Sequence, residues 1–300
     1  MSPARSTSTG SLYARGLLLS FTGMVVISPD GLILRTIGDA GTWDILFWRS
    51  LFMGISLSLA LAVSERRNPI ALWRGMGRMG WLSALALAGA NLCFVAAIAQ
   101  THVANVLVIL ATMPLFGAVL GWLVLREAVR GRTWFAIALA LAGIAIIFGG
   151  SIGGGTLSGD LTAVGCAFLH AVNLVILRRT KTPIMLPALA LSGFIGAAMV
   201  LPFAGPLGLT AHDMRWLAFS GLVQMPLALF LFLSGTRYVP AAEVALFSLV
   251  ETVLGPLWVW LAIGERPGDA ALIGGSIVMS AIVANSVLAL KGDRRRPAEA

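Results

Sequence analysis

Charge is what this chain has least of. Asp, Glu, Lys and Arg together make up 11% of its 300 residues, against about 25% in a soluble globular domain, which excludes an ordinary soluble fold. Cysteine occurs twice, at Cys93 and Cys166, and both thiols lie inside apolar runs, where they read as small apolar side chains rather than a disulfide or metal ligands. Histidine occurs three times, at His102, His170 and His212. None stands in a Ser-His dyad or a His-Glu metal pattern, so an intramembrane enzyme is disfavoured. The glycine-rich link GGSIGGGTLSG (Gly149 to Gly159) lacks a lysine in Walker spacing and a preceding strand, so a built-in ATPase is excluded and no cofactor is expected. Neither a ring of like charges nor a filter-like carbonyl loop points to an ion channel.

Apolar sequence is what remains. Hydrophobic residues account for 58% of the chain and the mean hydropathy is +0.91. A helix needs about 20 apolar residues to cross the hydrocarbon of a bilayer, and runs of that kind fall at 13–34, 44–63, 79–99, 103–124, 132–149, 160–177, 184–203, 214–234, 241–263 and 269–290. The connections are too short for a soluble domain. The first run has no small-residue cleavage site after it and reads as a retained helix. An all-α membrane protein of ten transmembrane helices is expected.

The net charge of +8 is a topology signal rather than a nucleic-acid patch. Most of the 21 Lys and Arg fall on alternate connections and at the two termini, while the opposite side carries Arg35, Arg215 and Arg266. By the positive-inside rule both termini are expected in the cytoplasm, with the bilayer as partner and no nucleic acid.

The chain echoes itself. The stretch Val103 to Glu127 returns in weaker form as Ala241 to Glu265, at an offset of nearly half the chain, and Gly16 to Arg35 is echoed by Gly159 to Arg178. This predicts a first repeat at 13–149, a hinge loop at 150–159 and a second repeat at 160–290, flanked by a cytoplasmic tail at 1–12 and a basic tail at 291–300. Five spans per half is an odd number, so the second copy must enter from the other side of the membrane. Two inverted five-helix repeats are expected, with a substrate site near the midplane between them, a plan common among secondary transporters.

Polar groups inside the spans are the candidate site residues. Arg49 lies about one turn inside the second span, and either faces a cavity or a substrate carboxylate, snorkels to the outer interface, or pairs with Asp44. Asn91, Asn105, His170, Asn173 and Gln224 either line a cavity or hold neighbouring helices together. Glu251, with Ser248, Thr252 and Gly255 on one stripe of the ninth span, is the costliest group to leave ionised in lipid and is the candidate coupling residue. Trp48, Trp81 and Trp258 suit either flat cavity walls or interfacial anchoring. Pro29, Pro114 and Pro256 mark breaks with gating potential. Glu127 and Glu265, at helix ends, read as caps or salt-bridge partners. Ala136, Ala140 and Gly143 predict close packing of the fifth helix, within the chain or in a homodimer, leaving monomer or homodimer open.

Pro29, the Phe47-Trp48-Arg49 cluster, the fourth span from Pro114 to Glu127 and its mirror from Glu251 to Glu265, set in two five-helix halves, together resemble the drug/metabolite transporter superfamily, EamA type. The resemblance covers roughly 13–290. One departure is Thr252, which stands where a proline is expected after Glu251, with Pro256 a turn later. The resemblance implies an inner-membrane carrier of small molecules, often an exporter of amino acids, with the aromatic amino-acid exporter group as the suspected relatives. It also implies a cavity lined by helices one to four and six to nine, with the fifth and tenth at the periphery. Drug, nucleoside and vitamin carriers share the fold.

Overall fold

A computed structural model describes residues 6–37, 40–66, 68–126, 129, 131–151, 156–180, 185–205, 209–236 and 241–294; at 6–13, 64–65, 151, 233, 236, 241–249, 286 and 289–294 it describes the backbone only. All secondary structure among these residues is helical. Helix α1 (Ser6–Ile27) continues after a break as Asp30–Thr36, and α2 (Thr42–Glu65) returns from it. A short surface helix, Pro69–Gly75, follows. Then come α3 (Gly77–Gln100), the segmented α4 (Val103–Leu110, Met113–Leu120 and a π turn, Gly121–Leu125) and α5 (Gly131–Ser151). The later chain forms α6 (Leu157–Arg179), α7 (Met185–Val200), α8 (Ala211–Ala218, a π turn at Phe219–Gln224, then Met225–Thr236), α9 (Ala241–Ile263) and α10 (Asp269–Arg294).

Lipid offers no hydrogen bonds, so a backbone that crosses it must satisfy itself, and helix is the only local solution for a single strand of chain. Eight of the helices are long and apolar enough to cross a membrane; α9 and α10 contribute shorter described apolar stretches, Val250–Ile263 and Asp269–Asn285. The tail expected at 1–12 differs from the described backbone, which is already helical from Ser6. The hinge loop expected at 150–159 is shorter than that, because α5 runs to Ser151 and α6 starts at Leu157. Glu127 lies outside the described residues, as do the side chains of Glu243 and Ser248.

The breaks follow from the prolines. A proline lacks the N–H that the preceding turn needs. In α1 the helix stops at Ile27 and restarts after Pro29. In α4 it turns at Ala111–Thr112, with Pro114 in the first turn of the next segment. In α8 the π turn at Phe219–Gln224 sits just before Pro226 and widens the ring so that the helix passes the proline unbroken. In α9 the chain stays helical through both Thr252 and Pro256, so α9 lacks the break that α4 has. Thr252 carries an N–H where the expected proline would not.

Helix packing crosses between the halves. The intimate pairs are α1 with α8, α2 with α7, α3 with α6, and α5 with α10. Small residues set the spacing. A Cβ on Gly23 would come within 2.7 Å of the Phe232 backbone nitrogen, one on Gly193 within 2.5 Å of the Gly54 nitrogen, and one on Gly143 within 2.7 Å of the Gly274 carbonyl oxygen. Ala136, Ala140 and Gly143 are buried, and Gly143 meets α10 of the same chain. The small face of α5 is thus used within the chain. With no hydrophobic drive between helices in lipid, this close approach is what holds them. Gly143→Leu is expected to force α5 from α10 and destabilise the protein by about 1–3 kcal/mol, seen as a lower melting temperature in detergent. Gly149→Leu, where a Cβ meets nothing within 4 Å, should leave melting unchanged.

Candidate functional site

The two halves enclose a cavity of about 340 Å³. Its walls come from α1–α4 and α6–α9; α5 and α10 pack on each other and contribute none of its lining. The surface is mostly apolar, with Met24, Met53, Met113, Met225, Phe94 and Phe232 prominent.

The polar floor is built on the break in α1. Ending the helix at Ile27 leaves its last carbonyls without intrahelical partners. The Ser28 hydroxyl donates to the Val25 carbonyl at 2.8 Å, and the Gln224 amide of α8 donates to Val26 and Ile27 at 3.1 and 3.4 Å. The indole of Trp258 on α9 donates to Ser28 Oγ at 2.9 Å. The break is thereby fastened from the second half of the chain. The restarted segment begins with Asp30, an acid in a first helical turn, where the helix dipole favours it.

Asp30 receives a fork of hydrogen bonds from Arg49 of α2, Nη1 to Oδ1 at 3.1 Å and Nη2 to Oδ2 at 2.8 Å. Ser220 on α8 donates to the same carboxylate at 3.2 Å. The exposures of Arg49 and Asp30 are 1% and 2%, so the pair is fully withdrawn from water. The guanidinium also lies 5.6 Å from the centroid of Phe94 on α3. Arg49 therefore neither snorkels nor pairs with Asp44, whose carboxylate accepts instead from the Gly205 backbone.

Of the residues named from sequence, Arg49, Asn91, Pro114, His170 and Glu251 line the cavity. Asn91 donates to Ser50 at 3.0 Å. Glu251 makes no hydrogen bond or ion pair with another described residue. The others lie outside the lining of this cavity. Gln224, Trp258 and Pro29 belong to the fastened break behind the wall. Asn173 accepts from Ser83 on α3, a helix-to-helix bond. Asn105 donates to Asp160 at 3.0 Å, at the far end of α6. Trp48 packs between Phe47 and Phe52, with ring centroids 5.4 Å from each. Trp81 is 48% exposed on the outside of α3. Pro256 lines a second cavity of about 360 Å³ between α4, α9 and α10.

Sequence reading missed Asp30 as the partner of Arg49. The signal was present: both lie nearly the same number of residues from the turn between α1 and α2, hence at equal depth in a helical hairpin. A second polar set lies at the end of the bundle where α3 meets α4 and α9 meets α10, and there Glu265 is both the cap and the salt-bridge partner that its place at a helix end suggests. Glu265 there pairs with Arg35 at 3.3 Å and accepts from the Val103 backbone nitrogen at 3.2 Å, capping α4, with His102 at 3.4 Å. Nearby, Thr101 donates to Asp160 at 2.6 Å and Arg35 donates to the Thr101 carbonyl at 2.6 Å.

Removing one partner of a buried ion pair costs about 3–5 kcal/mol, because the other charge stays behind. Arg49→Met is expected to destabilise the protein by that order, and the double change Asp30→Leu with Arg49→Met to recover much of the loss. Unfolding in detergent measures both, and a double variant no more stable than the single one would remove the coupling.

With this geometry in place, likeness to known proteins becomes informative. The "Uncharacterized transporter YwfM" of Bacillus subtilis (strain 168) is 26% identical over 260 residues, covering 84% of this chain and 86% of that one. An "Uncharacterized transporter" of Vibrio cholerae serotype O1 is 26% identical over 135 residues, 44% of this chain and 45% of its own length. A solved crystal structure shares the fold at a TM-score of 0.62 and 18% identity, spanning 94% of this chain and 99% of that one. The sequence model of the EamA-like transporter family matches twice, at residues 14–149 and 157–287. Together these matches span nearly the whole chain, and the protein belongs to the EamA-like transporter family.

Proposed function

We propose that this transporter is a secondary carrier of ten membrane spans in two inverted five-helix repeats, which exports amino acids or related small metabolites by alternating access. The observation that carries the proposal is the cavity between the halves, apolar over most of its wall with a few polar groups on one side, the form of a small-molecule site. The duplication is supported by the two successive family matches. It is supported again by the packing: exchanging each helix for the one five places on turns the α1–α8 pair into α6–α3, and maps α2–α7 and α5–α10 onto themselves. The basic residues on alternate connections support an orientation with both termini in the cytoplasm of a bacterium, the bilayer being its inner membrane.

Alternating access requires the halves to separate at one end of the cavity and then at the other. Glu251 is the acid in the cavity wall whose carboxylate is shared with no other described residue, and it is the proposed coupling residue. Uptake of labelled amino acids into liposomes holding the purified protein, with and without an imposed proton gradient, tests both statements. Selective, saturable flux is expected, with its dependence on the proton gradient lost in Glu251→Gln. Flux of no amino acid above empty liposomes would turn the assignment toward a drug, nucleoside or vitamin cargo on the same fold.

A further inference from the structure

The few ionisable groups at the cavity, and the way they pair, decide which charge a cargo can carry. One hydrogen on each Nη of Arg49 goes to Asp30, and Ser220 adds a further bond to that carboxylate. Arg49 is 1% exposed, and its Nε is buried without a hydrogen-bond partner. The pair is neutral as a unit, and the guanidinium is held against Asp30 rather than offered to the cavity. Asn91 gives an amide hydrogen to Ser50. Glu251 has no partner of its own among the described residues, yet lies near enough for the charges of Asp30 and Arg49 to act on it. His170 is the other ionisable group in the wall, and methionines, leucines and phenylalanines dominate the rest.

Resting on the carrier reading above, we propose that the cargo is recognised through an ammonium group at Glu251 and that a free carboxylate beside that ammonium weakens its binding. The preferred class among amino acids and related metabolites is an aryl or alkyl amine, or an amino acid masked as an amide or ester. Among the described residues of the lining, a free carboxylate would meet one carboxyl group without a partner and no guanidinium or ammonium that lacks one. To reach Arg49 it would have to displace Asp30, leaving that acid buried without a partner, the costly half of any broken buried pair. An ammonium instead neutralises Glu251, and a charge taken out of water needs such a partner. The body of the cargo meets thioethers, which adapt to irregular shapes and make favourable contacts with aromatic rings.

The test is equilibrium binding to the full chain in lipid nanodiscs, followed with labelled 2-phenylethylamine, phenylalanine amide, phenylalanine and 3-phenylpropionate. The amine and the amide are expected to bind about tenfold or more tighter than phenylalanine, a difference of one decade in Kd, and phenylpropionate not to bind. Glu251→Gln should abolish that preference and Glu251→Asp should keep it. Should Glu251→Gln not fold, the ranking of the four compounds on the unaltered protein decides alone. Phenylalanine binding as tightly as its amide would overturn the proposal. So would phenylalanine binding that is lost in His170→Gln, since the imidazolium would then be the missing cation, and so would binding of none of the four. Saturable flux of free amino acids with no preference for the amide would leave the carrier reading standing while this proposal falls. Absence of all flux beside tight, Glu251-dependent amine binding would remove the export reading instead.

Discussion

The ion pair between Asp30 and Arg49 is the interaction on which the site depends. Two charges withdrawn from water are tolerable only when their hydrogen bonds are filled, and here the fork geometry and Ser220 fill the carboxylate. For Asp30 to sit there, α1 must stop at Ile27 and restart. For α1 to stop in the membrane, its loose carbonyls need donors, which Gln224 and Ser28 provide. One proline thus commits residues on α2, α8 and α9 to fixed positions, and the cavity wall follows from them.

The same logic distinguishes the halves. They meet along close helix pairs that each take one member from either half, so neither half could bury its small-residue faces alone. Within that near-symmetric frame α4 is broken before Pro114 while α9 runs through Thr252 unbroken. The consequence lies in the wall: α4 presents Ala111 and the turn around Pro114, whereas α9 presents Glu251 from an intact helix. The acidic side chain is therefore carried on an unbroken stretch of helical backbone.

Much of this was legible in the sequence, and the part that was not has a common cause. Apolar runs and their lengths carry the helical class directly, because lipid enforces helix wherever chain is exposed to it. Pro29 and Pro114 announced breaks, whereas α8 and α9 pass Pro226 and Pro256 unbroken. Polar residues inside spans announced only that each has a partner, not which one. Gln224, open between a cavity and a helix-holding role, and Trp258, open between a cavity wall and the interface, both fasten the break in α1; Asn173 and Asn105 reach Ser83 and Asp160, far along the chain. Periodicity on one helix cannot reveal a partner on another. Trp81 shows the converse: its large ring suited a cavity wall or an interface equally, and only its placement on the outer face of α3 decides.

The polar sets also differ in their access to water. Arg35 and Glu265 have side-chain exposures of 27% and 19%, and His102 of 49%. Partly exposed pairs contribute little net stability because water replaces their bonds readily. Asp30 and Arg49, at 2% and 1%, have no such replacement. Thr101 and Asp160 stand beside the partly exposed set but are as dehydrated as the Asp30 pair, at 2% and 0%, so that end of the bundle combines an outer layer within reach of water and an inner one that is not. Of the three side chains that fasten the break in α1, Ser28, Gln224 and Trp258, the last two come from α8 and α9, so the break is held by both halves of the chain.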